Sequence, residues 1–306
     1  MTDIDRTWLY FKLYPTSVEL LDRVVVDVLA PLVERRQREI SRWFFLRFID
    51  GAGAHIRLRM LMSWADADAA TAECDRLAAQ LMSLRTIGTN REALAESVYF
   101  TTVSRERLRP EVRLDVYEPE LTKWGGRAYL PVAEAVFQTS SRCALMLIPH
   151  LRGAVVRRVA LGVLVINDVL RALALGAVER RSFLETHYQW WSGANSGSER
   201  SHDSELRAAV ERMLAPVLSE VVALADSAVV RDVIDSFTGA LRGALTDSNP
   251  RQKPLFLVFH QLHLMLNRLG VAPYEEALVS LIAQSSDGAY YRADNGLTEV
   301  ALAAGR

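Results

Sequence analysis

The sequence predicts an α+β fold, with a ferredoxin-like βαββαβ-type portion over 1–126 and a mostly α-helical portion over 127–306. Three observations lead there. Strand-like and helix-like segments alternate through the first ~120 residues, the order that a split βαβ arrangement requires. The pair Gly125-Gly126 then interrupts the chain, and beyond it nearly every segment carries helical periodicity.

Thr7–Tyr14 (TWLYFKLY) is rich in aromatics and reads as a strand. Pro15-Thr16-Ser17 precedes a run from Val18 to Ile40 whose apolar residues recur at helical spacing. Ser41–Ile49 and His55–Met62 are two strands, joined across Asp50-Gly51-Ala52-Gly53 as a hairpin. Ala65–Leu84 is Ala-rich and helical, and Ser97–Thr102 and Val112–Tyr117 are further strands. Helices are expected at 129–150, 154–175, 179–191, 203–223, 227–245, 255–269 and 274–284. Ser192–Ser204 is the one long polar loop, a connection or a lid. The two portions are expected to pack together as one domain.

Composition narrows the function classes. Half of the 306 residues are hydrophobic and 24% are charged, the balance of an ordinary globular protein. A net charge of −1 supplies no basic field, so no direct nucleic-acid partner is expected. Cys74 and Cys143 stand alone, which excludes a disulfide framework and a zinc-finger spacing. No metal or cofactor is expected. Met1–Trp8 lacks the basic and apolar regions of a signal peptide, and the apolar run Val159–Leu175 is broken by Asn167, Asp168 and Arg171. No membrane partner and a cytoplasmic location follow as expectations. Lysine occurs only at 12, 123 and 253, so arginine supplies the other 33 basic residues, a bias of genomic kind.

Three clusters carry chemistry. Side chains alternate along a strand, so His55, Arg57 and Arg59 share one face while Ile56, Leu58 and Met60 share the other. An imidazole and two guanidiniums in a row suit a carboxylate, although a solvated face with ion-pair partners has the same spacing. Tyr117–Gly126 (YEPELTKWGG) is a Pro- and Gly-shaped loop directly after a strand, with Glu120 and Lys123 one turn apart. The helix 255–269, closed by Gly270 as its C-cap, carries His260, His263 and Asn267 on one polar stripe, with Arg268 beside it. Buried polar groups need partners, and a buried histidine is either a satisfied core residue or an acid–base candidate. A metal-binding role for the His pair has no carboxylate nearby in sequence to complete it.

Taken in order, W-x-Y-x-K-L-Y, W-F-F-L-R-F-I-D, H-I-R-L-R, Y-E-P-E-L-T-K-W-G-G and H-L-M-L-N-R-L-G span Trp8 to Gly270. This ordered set resembles the elimination domain of lantibiotic dehydratases, also found as separate proteins in thiopeptide gene clusters. The resemblance implies a lyase that expels glutamate from glutamylated Ser and Thr of a ribosomally made precursor peptide, leaving dehydroalanine or dehydrobutyrine. It implies that a separate tRNA-dependent protein performs the glutamylation. The catalytic residues it implies are Arg57, Arg59, Glu120, Lys123 and His263, with His55, His260, Asn267 and Arg268 binding substrate. Better-known members carry Arg where this chain has Lys123, which removes a bidentate fork at that point. The related pyridine synthases, which join two dehydroalanines by aza-cycloaddition and expel the leader peptide, are the alternative. A non-catalytic precursor-binding subunit is a third reading, and the oligomeric state, a homodimer included, is left open.

Overall fold

The computed structural model describes residues 5–84, 109–151, 154–192, 199–246 and 252–293. It is a mixed α+β protein, mostly helical, with a small antiparallel sheet. Strand β1 (Arg6–Tyr14) leads into a helical segment, α1 (18–35), which includes a π-type stretch at Val24–Leu29. Strands β2 (Arg42–Asp50) and β3 (Gly53–Ser63) follow, then helices α2 (Trp64–Thr71) and α3 (Cys74–Ser83) and strand β4 (Glu111–Asp115). Helices α4 (Leu130–Leu151), α5 (Val155–Ala172), α6 (Ala177–Trp191), α7 (Glu199–Ala225), α8 (Ala228–Thr246), α9 (Pro254–Leu269) and α10 (Pro273–Ala293) complete the chain.

The sheet order is β2-β3-β1-β4, with every neighbouring pair antiparallel. The hairpin forms where the sequence places it. Asp50 pairs with Gly53, the Asp50 carboxylate accepts from Ala52 N–H at 2.9 Å, and Gly53 takes the positive φ of 120° that glycine tolerates. The expected strand Ser97–Thr102 lies outside the described residues. Three expected helices differ in detail, and the last, expected at 274–284, runs Pro273–Ala293. The segment from Val18 ends at Arg35 rather than Ile40, and Ala65–Leu84 is broken at Ala72-Glu73, where Glu73 accepts from Arg35 and Arg36. The polar loop is shorter than expected, because the chain is already helical from Glu199.

The chain divides into two compact units. The first contains 1–158 and 229–271, and the second contains 159–228 and 272–306. The first unit holds the sheet together with α4, α8 and α9, so helices from the second half of the sequence share a unit with the strands. One face of the sheet is apolar and closed: Phe11, Leu13, Phe45, Ile56, Leu58 and Met60 are all fully buried. In the second unit, α10 packs on α6, and His187 is buried against Ser280, whose hydroxyl lies 2.7 Å from Nδ1.

The outer edge of β2 is closed by side chains. Trp43 N–H donates to Gln138 Oε1 at 2.9 Å, Phe45 N–H to Ser141 Oγ at 3.2 Å, and Arg47 N–H to Asn267 Oδ1 at 2.9 Å. These N–H groups recur every second residue, as an edge strand presents them, and two helices receive them. The C-terminus of α9 is held in turn by arginines. Arg47 Nε donates to the carbonyl of Arg268 at 3.0 Å and Arg158 to that of Leu269, and both arginines share Asp22. Their charges hold the Asp22 carboxyl well below the usual range despite its burial. Cations at a helix C-terminus also complement its dipole.

Gly270 caps α9 with φ of 79°, and a Cβ there would lie 2.5 Å from Arg158 Nη1 and 2.9 Å from Arg47 Cζ. Gly270→Ala is therefore expected to destabilise the chain by about 2–4 kcal/mol, combining backbone strain with displaced guanidiniums. Urea unfolding of the purified variant measures this, and a loss below about 0.5 kcal/mol would show that the cap relaxes freely.

Candidate functional site

The register of the sheet decides which groups gather. On the face opposite the apolar one, Arg59 of β3 sits between Tyr10 of β1 and Phe44 of β2. Its guanidinium carbon lies 4.4 Å from the Tyr10 ring, 5.5 Å from Phe44 and 4.9 Å from Tyr117. Arg59 is only 8% exposed, and its Nε has no hydrogen-bond partner among the described residues. Burial lowers the pKa of Arg59, but a guanidinium starts so high that it stays charged at neutral pH. Ring faces are partial negative charges, so this basket stabilises the cation without using its N–H donors.

The basket is a continuous aromatic cluster. Trp8 contacts Phe44 and Tyr117 edge-on at 5.2 and 5.1 Å, and Phe44 and Trp124 contact Phe137 at 5.2 and 4.8 Å. Tyr117 donates its hydroxyl to Glu134 at 3.2 Å, and Glu134 also takes Arg42 at 3.1 Å. Burial, then the Glu134 charge, pushes the Tyr117 phenol up, and burial pushes the Glu134 carboxyl up although Arg42 opposes it. Sequence reasoning passed over Tyr10, Arg42 and Glu134. Glu134 had a visible signal, since it is the only acid in Leu130–Leu151.

Arg57 and His55 share the face of Arg59 but turn to each other. The Arg57 guanidinium stacks on Phe48 at 3.3 Å and donates from Nε to His55 Nε2 at 3.3 Å. His55 is fully buried beneath Tyr14, 4.3 Å away, with Nδ1 3.1 Å from the Gly53 carbonyl. These contacts agree with one neutral tautomer, in which Nδ1–H donates and Nε2 accepts. Burial holds the His55 pKa down to about 4.

The Tyr117–Gly126 loop lies beside the cluster. Trp124 and Tyr129 are buried, Gly125 and Gly126 take φ of 77° and 92°, and Gly126 N–H closes on the Leu121 carbonyl at 2.7 Å. Lys123 pairs with the exposed Glu120 at 3.4 Å and lies 5.5 Å from the Trp124 ring. On α9, His260 contacts Trp124 at 6.2 Å and Phe256 at 4.4 Å. Its pKa is held down to about 4, by burial first and then by Lys123 and His263. His263 is half-buried on the same helix. Asn267 has both ends of its amide on Arg47, accepting from N–H at 2.9 Å and donating to the carbonyl at 3.0 Å. Arg268 is fully buried and donates from Nε to Ser141 Oγ at 2.9 Å. Arg59, Tyr117, Lys123, His260 and Arg268 thus all border one aromatic cluster, whereas His55 and Arg57 form a separate pair beside Phe48. Among the described residues, no group of three or more His, Cys, Asp or Glu could hold a metal ion. No single described helix is long and apolar enough to cross a membrane.

A cationic strand under an aromatic basket, a double-glycine loop and a histidine-bearing helix together frame the site. The chain belongs to the family described as lantibiotic biosynthesis dehydratase C-term, whose profile matches residues 8–286. Solved structures with the same fold include the pyridine synthase TbtD from thiomuracin biosynthesis. It is 18% identical with a TM-score of 0.64, over 93% of this chain and 98% of that one. The tRNA-dependent lantibiotic dehydratase MibB from Microbispora sp. 107891 is 20% identical with a TM-score of 0.53, over 93% of this chain but only 28% of that one. TsrL is 17% identical with a TM-score of 0.54, over 94% and 96% of the two chains. No curated protein matches.

His55 makes stability depend on pH. Its folded pKa of about 4 lies below the unfolded value of 6.5, so its stabilising contribution is full above pH 6.5 and is lost as pH falls toward 4. Denaturant unfolding at pH 7 and pH 4.5 should differ by about 2 kcal/mol from this residue. His55→Gln should flatten that slope, and an unchanged slope in the variant would assign the dependence elsewhere.

Proposed function

We propose that this protein eliminates glutamate from glutamylated Ser and Thr residues of a ribosomally made precursor peptide, giving dehydroalanine or dehydrobutyrine. The observation that carries the reading is Arg59, a buried cation whose Nε–H has no hydrogen-bond partner among the described residues. Such a donor is suited to a carboxylate or to the enolate oxygen that develops when a Cα proton is removed. In the reaction the Cα–H bond breaks and its proton passes to a base. The Cβ–O bond then breaks, the double bond forms between Cα and Cβ, and glutamate departs as a carboxylate. His263 and Lys123 are the acid–base candidates, with Glu120 holding Lys123, and His260 contributes a neutral imidazole beside them. Arg57 is assigned to the approach of the peptide.

The donor of the glutamyl group is a separate tRNA-dependent protein in this proposal. The strand order β2-β3-β1-β4 supports reading the sheet portion, 1–126, as ferredoxin-like, with the helical portion, 127–306, supplying His263.

Incubation of the purified chain with a glutamylated peptide, followed by mass spectrometry, tests the reading. Arg59→Ala and His263→Ala are each expected to slow loss of glutamate about 100-fold or more, with circular dichroism as the check on folding. Dehydrated product forming at the unsubstituted rate in both variants would sink it. The second reading, a pyridine synthase, is favoured by the mutual coverage with TbtD, 93% and 98%. A fully dehydrated peptide would then yield macrocycle and free leader peptide, and the glutamylated peptide would remain intact.

A further inference from the structure

Tyr10 and Phe44 are placed beside Arg59 by the register of the sheet, but Tyr117 is not. Strand β4 pairs with β1 only as far as Asp115, opposite Tyr10, so Tyr117 lies two residues beyond the last paired position. Its ring still closes on the Arg59 guanidinium at 4.9 Å, edge-on to Trp8 at 5.1 Å and to Phe44 at 5.7 Å. Tyr117 is also the first residue of the loop that carries Glu120 and Lys123. Whatever fixes this side chain therefore acts on the basket and on the loop together.

The Tyr117 hydroxyl supplies the fixed point. It donates to Glu134 Oε1 at 3.2 Å, and Glu134 Oε2 accepts from Arg42 Nη1 at 3.1 Å. Glu134 is 5% exposed and stands on the face of α4 that clasps β2. Gln138 and Ser141, one and two turns further along that face, receive the N–H groups of Trp43 and Phe45. Arg42 is the first residue of the clasped strand. The carboxylate is thus held from a helix and from a strand that are already tied to each other. Burying it is costly, and burial raises the Glu134 pKa although Arg42 and the Tyr117 hydroxyl oppose the rise. A buried ion pair adds little stability by itself, and apolar side chains of similar size often serve as well. The oxygen turned to Tyr117 gives the carboxylate a second task, because that bond leads to the site.

We propose that Glu134 is a positioning residue: through the Tyr117 hydroxyl it sets one wall of the Arg59 basket and the start of the Tyr117–Gly126 loop, so that one buried carboxylate aligns Arg59 with Glu120 and Lys123. The proposal rests on the elimination reading for the reaction whose rate is set. Glu134 touches no substrate, and its influence passes through Tyr117. A displaced ring shifts the Arg59 donors from the oxygen that gains charge as the Cα proton leaves, weakening an interaction made in the transition state. Such a loss lowers kcat and kcat/KM together and leaves KM little changed.

Steady-state elimination from a glutamylated peptide tests the role, with urea unfolding of each variant alongside. Glu134→Ala removes both bonds, and Tyr117→Phe removes only the hydroxyl. Each should lower kcat about tenfold or more, with KM within about threefold of the unsubstituted chain. The double variant should be no slower than the slower single one, because both remove the same link. Glu134→Gln keeps an oxygen for the Tyr117 hydroxyl but loses the charge that Arg42 pairs with. It should lower the urea midpoint yet retain kcat within about twofold. A glutamate that only supports the fold would lower the midpoint in both Glu134 variants and leave kcat unchanged in all three. Unchanged kcat in Tyr117→Phe, or Glu134→Gln as slow as Glu134→Ala, would overturn the role, and Tyr117→Phe decides it if Glu134→Ala does not fold. An unsubstituted chain that eliminates no glutamate would refute the reaction and the role with it, whereas undiminished kcat in the variants of an active chain would refute the role alone.

Discussion

The outer edge of β2 is the constraint on which the first unit depends. An edge strand exposes an N–H every second residue, and here Gln138, Ser141 and Asn267 receive those of Trp43, Phe45 and Arg47. Each bond contributes on the order of 1 kcal/mol, but leaving a buried N–H unmet costs more, so the helices α4 and α9 are tied to the strand in one register. Slipping β2 by one residue would turn its apolar face outward and present the wrong backbone groups to all three side chains. The same clasp positions the wall of the aromatic cluster, because Phe137 and Arg268 sit one turn or one residue from the clasping side chains.

This arrangement gives the arginines of the protein different tasks. Arg47 and Arg158, neutralised by Asp22, satisfy the carbonyls at the end of α9 and require Gly270 to have no side chain. Arg42 holds Glu134, which holds Tyr117 against Arg59. Arg59 and Arg268 receive rings instead of carboxylates. A ring face softens the cost of burying a cation without using its N–H donors, whereas a carboxylate takes them up. That distinction depends on which side chains surround each guanidinium, since in composition all of them are simply part of an arginine-rich chain.

A histidine that reads as functional by spacing can have its ring fully occupied. His55 has donor and acceptor both used and no exposure, so its place beside Arg57 and Arg59 on the strand marks a packed support for Arg57. Asn267 is similar: its amide bridges the backbone of Arg47, and the polar stripe it shares with His260 and His263 therefore serves two purposes on one helix. From that stripe His260 reaches Trp124, and so the aromatic cluster.

Much of the fold was legible because local physics determines it. Strand alternation placed His55, Arg57 and Arg59 on one face, the Asp50–Gly53 turn defined the hairpin, and 3.6-residue periodicity located the helices from Leu130 onward within about four residues, except that the last runs to Ala293 rather than 284. Long-range pairing was not legible, because period and propensity do not say which strands meet. The order β2-β3-β1-β4, which brings Tyr10 and Phe44 to either side of Arg59, came only with the tertiary structure. The same holds for the partners of each charge. Sequence by itself determined the family, the cationic strand, the double-glycine loop and the histidine helix. Only the tertiary structure decided that Arg57 pairs with His55 while Arg268, some 200 residues from Arg59 in sequence, borders the same aromatic wall. The physical reason is that a buried charge is defined by what surrounds it, and those surroundings are assembled from distant segments.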